Sequence, residues 1–413
     1  LKETASIFKS CKGWIASVLD FGGGDFQLCQ RLALAGVFFL PISIGGLQVF
    51  LVLAGICWIF ITVNRKKTVL PPPFYPFLFS FFIFSLMSLV FSLNPAEGFS
   101  VFKMFPLILI PLMFYNIIED EPQRKKFISV LYAGAAVNAV WGLLMYASGK
   151  QHRLSGFLGH YMTAAGILMM IIIFLLGHLF TAGIKKFGKT RTLVLLLLCS
   201  AFLATLTRNA WVGAALGFII LFGVIRPRYI PLGVVLLFLF FIFVPPVVKE
   251  RIASTFDIHD ATIQDRLMMI RTGARIIRDN PLLGVGPEMI PRVYEEYKAD
   301  EGDTCRPHLH NNVVQIAAEK GLLTAFIWLA FMGSILYYAG RIYNRLRKEG
   351  NSHIPEDHLM ISVVVVVLSF FTAGLFEYNW GDTEVAAVFL FLITVPFSIY
   401  KKEFSQQIRL WRK

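Results

Sequence analysis

Charge is what this chain has least of. Only 16% of its 413 residues are Asp, Glu, Lys or Arg, where a soluble domain carries about a quarter, so a soluble globular fold is excluded. Strict alternation of apolar and polar residues is missing as well, which excludes a transmembrane β-barrel. Cysteine is sparse, with five in the chain. Cys305 alone falls in a segment assigned to the outside, so no structural disulfide closes within that region. Cys11, Cys29, Cys57 and Cys199 read as buried small apolar side chains or cytoplasmic thiols. There is no CxxC, no HExxH, no Asp-rich loop and no glycine-rich phosphate loop. Neither a metal nor a cofactor is therefore expected, and ATP hydrolysis is not the energy source.

What is present in quantity is apolar sequence: 56% of residues are hydrophobic and the mean hydropathy is +0.65. Apolar runs recur between Leu32 and Tyr400, each long enough to cross a hydrocarbon core of about 30 Å. The fold class this implies is an all-α polytopic membrane protein forming a single membrane domain over 1–413. Twelve spans are expected, at roughly 28–43, 47–63, 73–92, 99–117, 126–147, 157–180, 190–206, 209–225, 229–247, 308–341, 358–379 and 383–400. Pro41 and the Gly45-Gly46 pair interrupt the first apolar stretch. Reading it as one helix would invert every later loop, so two are expected. The chain opens on Leu1 rather than Met, and no cleavable signal is expected ahead of the first span.

The formal net charge of +13 raises nucleic acid as a partner until the basic residues are placed. With the N-terminus in the cytoplasm, 25 of the 39 Lys and Arg fall in the two ends and the alternate loops on that side. The short loops of the other side hold only Lys150, Arg153 and Arg208. The excess is a topology signal that puts both termini inside, and no nucleic acid is expected.

One outside loop is large, 248–307, with nine Lys/Arg and eleven Asp/Glu over 248–306. Within it, Ala261 to Arg278 reads as an amphipathic helix halted by Asp279-Asn280-Pro281. Arg266 opens its basic pattern, and Arg271, Arg275 and Arg278 follow on one face. "PLLGVGPE" then makes a glycine-punctuated turn against the membrane surface. The stretch His308 to Arg341 is 34 residues, about 51 Å as one helix, so its first turns stand above the membrane core. Those turns carry His308, His310, Asn311, Asn312 and Gln315, for which helix capping is the plain alternative to chemistry. Arg208 sits in a short turn between two apolar helices, where a charge needs a partner.

Together these residues suit a group transfer at the outer face. Guanidiniums grip a diphosphate bidentately. A neutral histidine accepts a proton from an attacking hydroxyl. A diphosphate leaves without protonation, so electrostatic stabilisation takes the place of a general acid.

The motifs "TLTRNAWVG", "DRLMMIRTGARIIRDNPLLGVG", "HLHNNVVQIAAEKGLL" and "GLFEYNWGDTEV" occur in this order on the outside. In that order they resemble the O-antigen ligase and polymerase family of bacterial envelopes. The resemblance covers most of the chain in its layout of spans. It implies an integral-membrane glycosyltransferase (GT-C-like) fold, no metal, an undecaprenyl diphosphate-linked glycan as donor and an inverting displacement. It implies His310 as the base, Arg208 and Arg266 as diphosphate ligands, and Arg271 and Arg275 as weaker ones. His308, Asn311, His160, Arg153, Glu377 and Asp382 are candidates for sugar or acceptor contacts.

Within the family the modest length favours a ligase acting on lipid A–core oligosaccharide in the bacterial inner membrane, with a periplasmic site. The alternatives are a polymerase and a protein O-oligosaccharyltransferase. A lipid-linked oligosaccharide flippase is the non-enzyme reading. The lack of an internal repeat and the gathering of polar residues at one face speak against it.

Overall fold

The computed structural model describes residues 25–182, 187–225, 246–255, 259–298, 306–348 and 356–401, with isolated positions between them. Most of the expected span 229–247 lies outside the described residues. So do Cys11, Cys305 and much of the basic sequence used for orientation, including Lys2, Lys9, Lys12, Lys185, Lys186, Arg226, Arg228 and Lys402.

No strand occurs among the described residues. The helices are α1 Asp25–Phe39, α2 Ile44–Asn64, α3 Tyr75–Val90, α4 Leu109–Ile117, α5 Glu121–Ala147, α6 Tyr161–Ala182, α7 Lys189–Ala204 and α8 Arg208–Ile219. The sequence assigned outside the membrane forms α9 Pro246–Ala253, α10 Ala261–Asp279 and α11 Ile290–Tyr297. The chain then continues through α12 Asn312–Lys320, α13 Leu322–Lys348, α14 Glu356–Ala373 and α15 Thr383–Thr394. The first apolar stretch is indeed two helices, broken where Ser43 caps the N-terminus of α2.

Among the described residues, five helices are long and apolar enough to cross a membrane: Ile44–Asn64, Glu121–Ala147, Tyr161–Leu179, Leu322–Leu346 and Thr383–Tyr400. Five shorter apolar helices accompany them. α6 and α15 are buried almost all round, while α2 turns Val49, Ile56 and Phe60 outward. A helix this apolar with its outer face uncovered fits lipid rather than water. The chain is an all-helical, polytopic membrane protein.

Small residues set how closely the helices approach. Gly213 and Gly217 of α8 face α14. A Cβ at Gly213 would lie 2.6 Å from the Ser369 carbonyl oxygen, and one at Gly217 would lie 2.7 Å from Ser369 Oγ. Small residues four apart let two backbones meet. That contact fixes α8 against α14, and with it the position of Arg208 in the first turn of α8.

The expected single helix over 308–341 is corrected. It is two helices, α12 and α13, separated by Gly321 at φ 84 and ψ 162. A left-handed φ without strain requires glycine. The break also has an occupant, because a Cβ at Gly321 would fall 1.9 Å from the Leu282 carbonyl oxygen. The Pro281–Gly286 turn is docked there. The last carbonyls of α12, which have no partner within the helix, are all satisfied. Gly321 N donates to Ala317 O, Val285 N to Ala318 O and Gly286 N to Glu319 O. Ser88 Oγ donates to Glu319 O and Thr324 Oγ1 to Lys320 O. The "PLLGVG" turn is thus a cap for α12, reached from α3 through Ser88.

Candidate functional site

The site is built where the segment before α12 meets the turn between α14 and α15. Asn311 caps α12, accepting from Val314 N, and its amide donates to Leu375 O. Asn312 is 1% exposed. Its Nδ2 donates to Asn379 Oδ1 at 2.6 Å and its Oδ1 accepts from Trp380 N at 3.0 Å. Its backbone N donates to Gly374 O at 2.7 Å. The two asparagines therefore clamp one segment to the other. Asn311, expected as a sugar contact, spends its side chain on the cap and the clamp.

That clamp brings His310 against Glu377. His310 Nδ1 and Glu377 Oε2 are 2.9 Å apart. An ionised carboxylate only accepts, so Nδ1 carries a proton here, and in the neutral ring Nε2 is the nitrogen left to act as a base. His310 has φ 47, a conformation uncommon outside glycine and associated with functional sites. Burial alone would raise the Glu377 carboxyl. The hydrogen bond from His310, with the nearby imidazoles and Arg266, outweighs it and holds Glu377 below its ordinary range.

His308 lies beside His310, with ring centroids 4.1 Å apart and the rings tilted by 59°. Burial first, then its neighbour His310, pushes His308 down to about 4, so it is neutral near pH 7. The ligand atoms of His308, His310 and Glu377 lie within 4.8 Å of one another, a spacing that a metal ion would also accept. The positive charge of Arg266 beside Glu377 works against a dication there.

The arginines form the other half. Arg208 is buried, and Nη1 donates to Ser254 O and Ser254 Oγ, each at 2.9 Å. Its Nη2 donates to Asp260 Oδ1 at 2.9 Å. That hydrogen bond is the main reason the Asp260 carboxyl is held down to about 2. Asp260 also caps α10 by accepting from Thr262 N. The cap thus fixes the start of α10 to the start of α8. Arg266, one turn further along, is mostly buried, which lowers its pKa. It feels Glu377 and Asp260 on one hand and Arg208 and Arg251 on the other. It is the link between the His310–Glu377 pair and the arginine cluster.

Arg153 holds the turn before α8. Its Nε donates to Thr205 O and its Nη2 to Leu206 O and Thr207 Oγ1, while its guanidinium lies 3.5 Å over the Tyr161 ring. It positions Arg208 from behind.

The structure does not bring every expected residue together. α10 forms as read, but its basic residues split. Arg266 turns inward, whereas Arg271 and Arg275 are exposed, with Arg275 Nη1 donating to Lys298 O at 2.6 Å. A five-residue step from 266 to 271 rotates the side chain well away on a 3.6-residue helix. Asp382 caps α15 and accepts the Thr163 hydroxyl. Asp382, His160, Asn209, His308, Gln315 and Glu377 are among the residues lining a cavity of about 930 Å³ that is open to solvent. Two features escaped the sequence. Arg251, on α9, belongs to the cluster by its electrostatic interaction with Arg208 but sits in no motif. The pairing of Glu377 with His310 escaped too: the sequence offered Glu377 as a sugar or acceptor contact, with nothing local to join it to His310.

A search of curated proteins returned no match. The family described as O-antigen ligase matches residues 193–329. That span runs from α7 into α13 and contains Arg208, Arg251, Asp260, Arg266, His308 and His310, while Glu377 lies beyond it. The likeness of this chain to the O-antigen ligase family rests on residues 193–329 of its 413.

Proposed function

We propose that the protein is a glycosyltransferase that moves a glycan from undecaprenyl diphosphate to a hydroxyl of lipid A–core oligosaccharide. The reaction takes place at the periplasmic face of the bacterial inner membrane, with both termini in the cytoplasm. The observation that carries this reading is the His310–Glu377 pair. A histidine whose Nδ1 is held by a carboxylate presents Nε2 as a base, beside a cavity lined by His308 and Glu377 and a cluster formed by buried Arg208 and partly buried Arg266 and Arg251.

In the reaction, Nε2 of His310 takes the proton of the acceptor hydroxyl as its oxygen bonds to the anomeric carbon. The bond from that carbon to the diphosphate oxygen breaks on the opposite side, which inverts the configuration. Glu377 stabilises the imidazolium that forms. Arg208 and Arg266 receive the charge that develops on the diphosphate, and Arg251 adds to their field. The apolar tail of the donor stays in the bilayer beside the bundle. No step calls for a metal or a cofactor.

The test is made with purified protein, undecaprenyl diphosphate-linked glycan, and lipid A–core either present or withheld. Glycan appearing on lipid A–core supports the ligase. Longer lipid-linked chains formed without that acceptor make the protein a polymerase instead. No transfer from folded protein in either tube overturns the reading.

A further inference from the structure

The opposite end of the bundle holds a second cluster of charge. Glu121, Arg124 and Lys125 lie in the first turns of α5, His178 near the end of α6, Arg191 in the first turn of α7 and Leu359 near the start of α14. The candidate site draws on the other ends of these same helices, through Arg153, His160, Arg208 and Glu377. α6 has 22 residues, about 33 Å of helix, so the two clusters lie at opposite faces of the membrane.

Between these side chains is a pocket open to solvent, with about 470 Å³ of empty space including its open mouth. Its charge is uneven. Arg124, Lys125 and Arg191 are cations, and among the described residues Glu121 is the carboxylate lining it, paired with both Arg124 and Lys125. Arg191 Nη1 lies 3.2 Å from His178 Nε2. A guanidinium only donates, so Nε2 accepts and His178 is neutral.

Basic residues at the ends of spans are what topology alone requires. A topology signal, however, keeps its charges in water, and Arg124 is 1% exposed. Among the described residues, its Nε and Nη1 are buried with no hydrogen-bond partner. A buried guanidinium with two unused donors is costly unless an acceptor completes it.

We propose that this pocket binds a phosphate group, either the headgroup of an anionic phospholipid or free phosphate. Arg124 supplies its two unused donors from the floor, and Lys125 and Arg191 supply charge at the rim. Basic pockets between membrane helices bind anionic headgroups through this kind of set, and the planar fork of arginine matches phosphate oxygens. The assignment is independent of the glycosyl-transfer reading, because it concerns the other face.

The experiment places the full-length protein in phosphatidylcholine nanodiscs and adds one of two probes, phosphatidylglycerol or inorganic phosphate. Thermal unfolding and native mass spectrometry are the readouts. One of the probes is expected to raise Tm by about 2–4 °C. A response to phosphatidylglycerol assigns the pocket to a lipid, and a response to phosphate alone assigns it to a soluble anion. Arg191→Gln and Lys125→Gln, both at the rim, should each weaken that response about five- to tenfold. Arg124→Gln should abolish it, and if that variant does not fold the two rim variants decide the matter. No response of the wild-type protein to either probe overturns the proposal. So does an equal response in the wild type and both rim variants.

Discussion

His310 Nδ1 and Glu377 Oε2 lie 2.9 Å apart across 67 positions of sequence, joined only because Asn311 and Asn312 bind the 374–380 turn. His310→Ala should lower the transfer rate by on the order of 10²–10⁴ with the protein still folded. Glu377→Gln keeps the shape and removes the charge that stabilises imidazolium, so it should cost on the order of 10² in kcat. Rates near wild type in both variants, from protein of normal thermal stability, would remove the pair from the chemistry.

The arginines of α10 offer an internal control. Arg266 faces Glu377 and the Arg208 cluster, whereas Arg271 is exposed on the same helix. Arg266→Ala and Arg208→Ala should each lose about 10²–10³ in kcat/KM, while Arg271→Ala should stay within about twofold. Arg208→Lys should recover only part of the loss, because Lys replaces a two-pronged donor with a point charge. Kinetics on the four variants under one donor concentration series would show whether the split on α10 is functional.

Much of this was legible in the sequence, for reasons that differ by residue. α10 was visible because its apolar period and its Asp279-Asn280-Pro281 stop are local signals. Arg208 was visible because a charge between two apolar helices has few innocent explanations. The pairing of His310 with Glu377 was not, since it depends on which loops meet in space. The break at Gly321 was missed even though Glu319 and Lys320 interrupt the apolar pattern just before it, because a charged pair and one glycine do not by themselves stop a helix. Only the docked carbonyl of Leu282 reveals why a helix cannot pass through that point.

Gly321 therefore carries a prediction of its own. Alanine there meets both a left-handed φ of 84° and a carbonyl oxygen 1.9 Å from the new Cβ. The strain of about 1–3 kcal/mol adds to the displacement of the Pro281–Gly286 turn. Gly321→Ala should lower Tm by several degrees, and it should weaken catalysis because the same turn holds the C-terminus of α12. An alanine variant as stable as the wild type would mean that the break does not depend on glycine.

His308 sets a pH dependence of stability. Its folded-state pKa is near 4 because of burial and the neighbouring His310, against about 6.5 for an exposed histidine. Between those values the unfolded chain binds the proton and the folded protein does not, so stability falls as pH drops from about 6.5 toward 4. His308→Gln removes this site from the balance. Its Tm should therefore decline less than that of the wild type between pH 7 and pH 5. Parallel declines in the two proteins would show that His308 is charged in the folded state.

The last prediction concerns metal. His308, His310 and Glu377 present three ligand atoms within 4.8 Å, and that geometry by itself suits an ion. The charges around it argue otherwise. Arg266 acts on Glu377 directly, and Arg208 and Arg251 stand behind Arg266. The Glu377 carboxylate is already used by the His310 proton. An ion would have to displace that proton and leave imidazole Nδ1 as a ligand, taking the base out of its working tautomer. Transfer should therefore survive dialysis against EDTA with its rate unchanged, and added Zn²⁺ should inhibit by competing with the proton at Nδ1. Loss of activity in EDTA, restored by a divalent ion in the wild type but not in His308→Gln, would make these three residues a metal centre and reassign the role of His310.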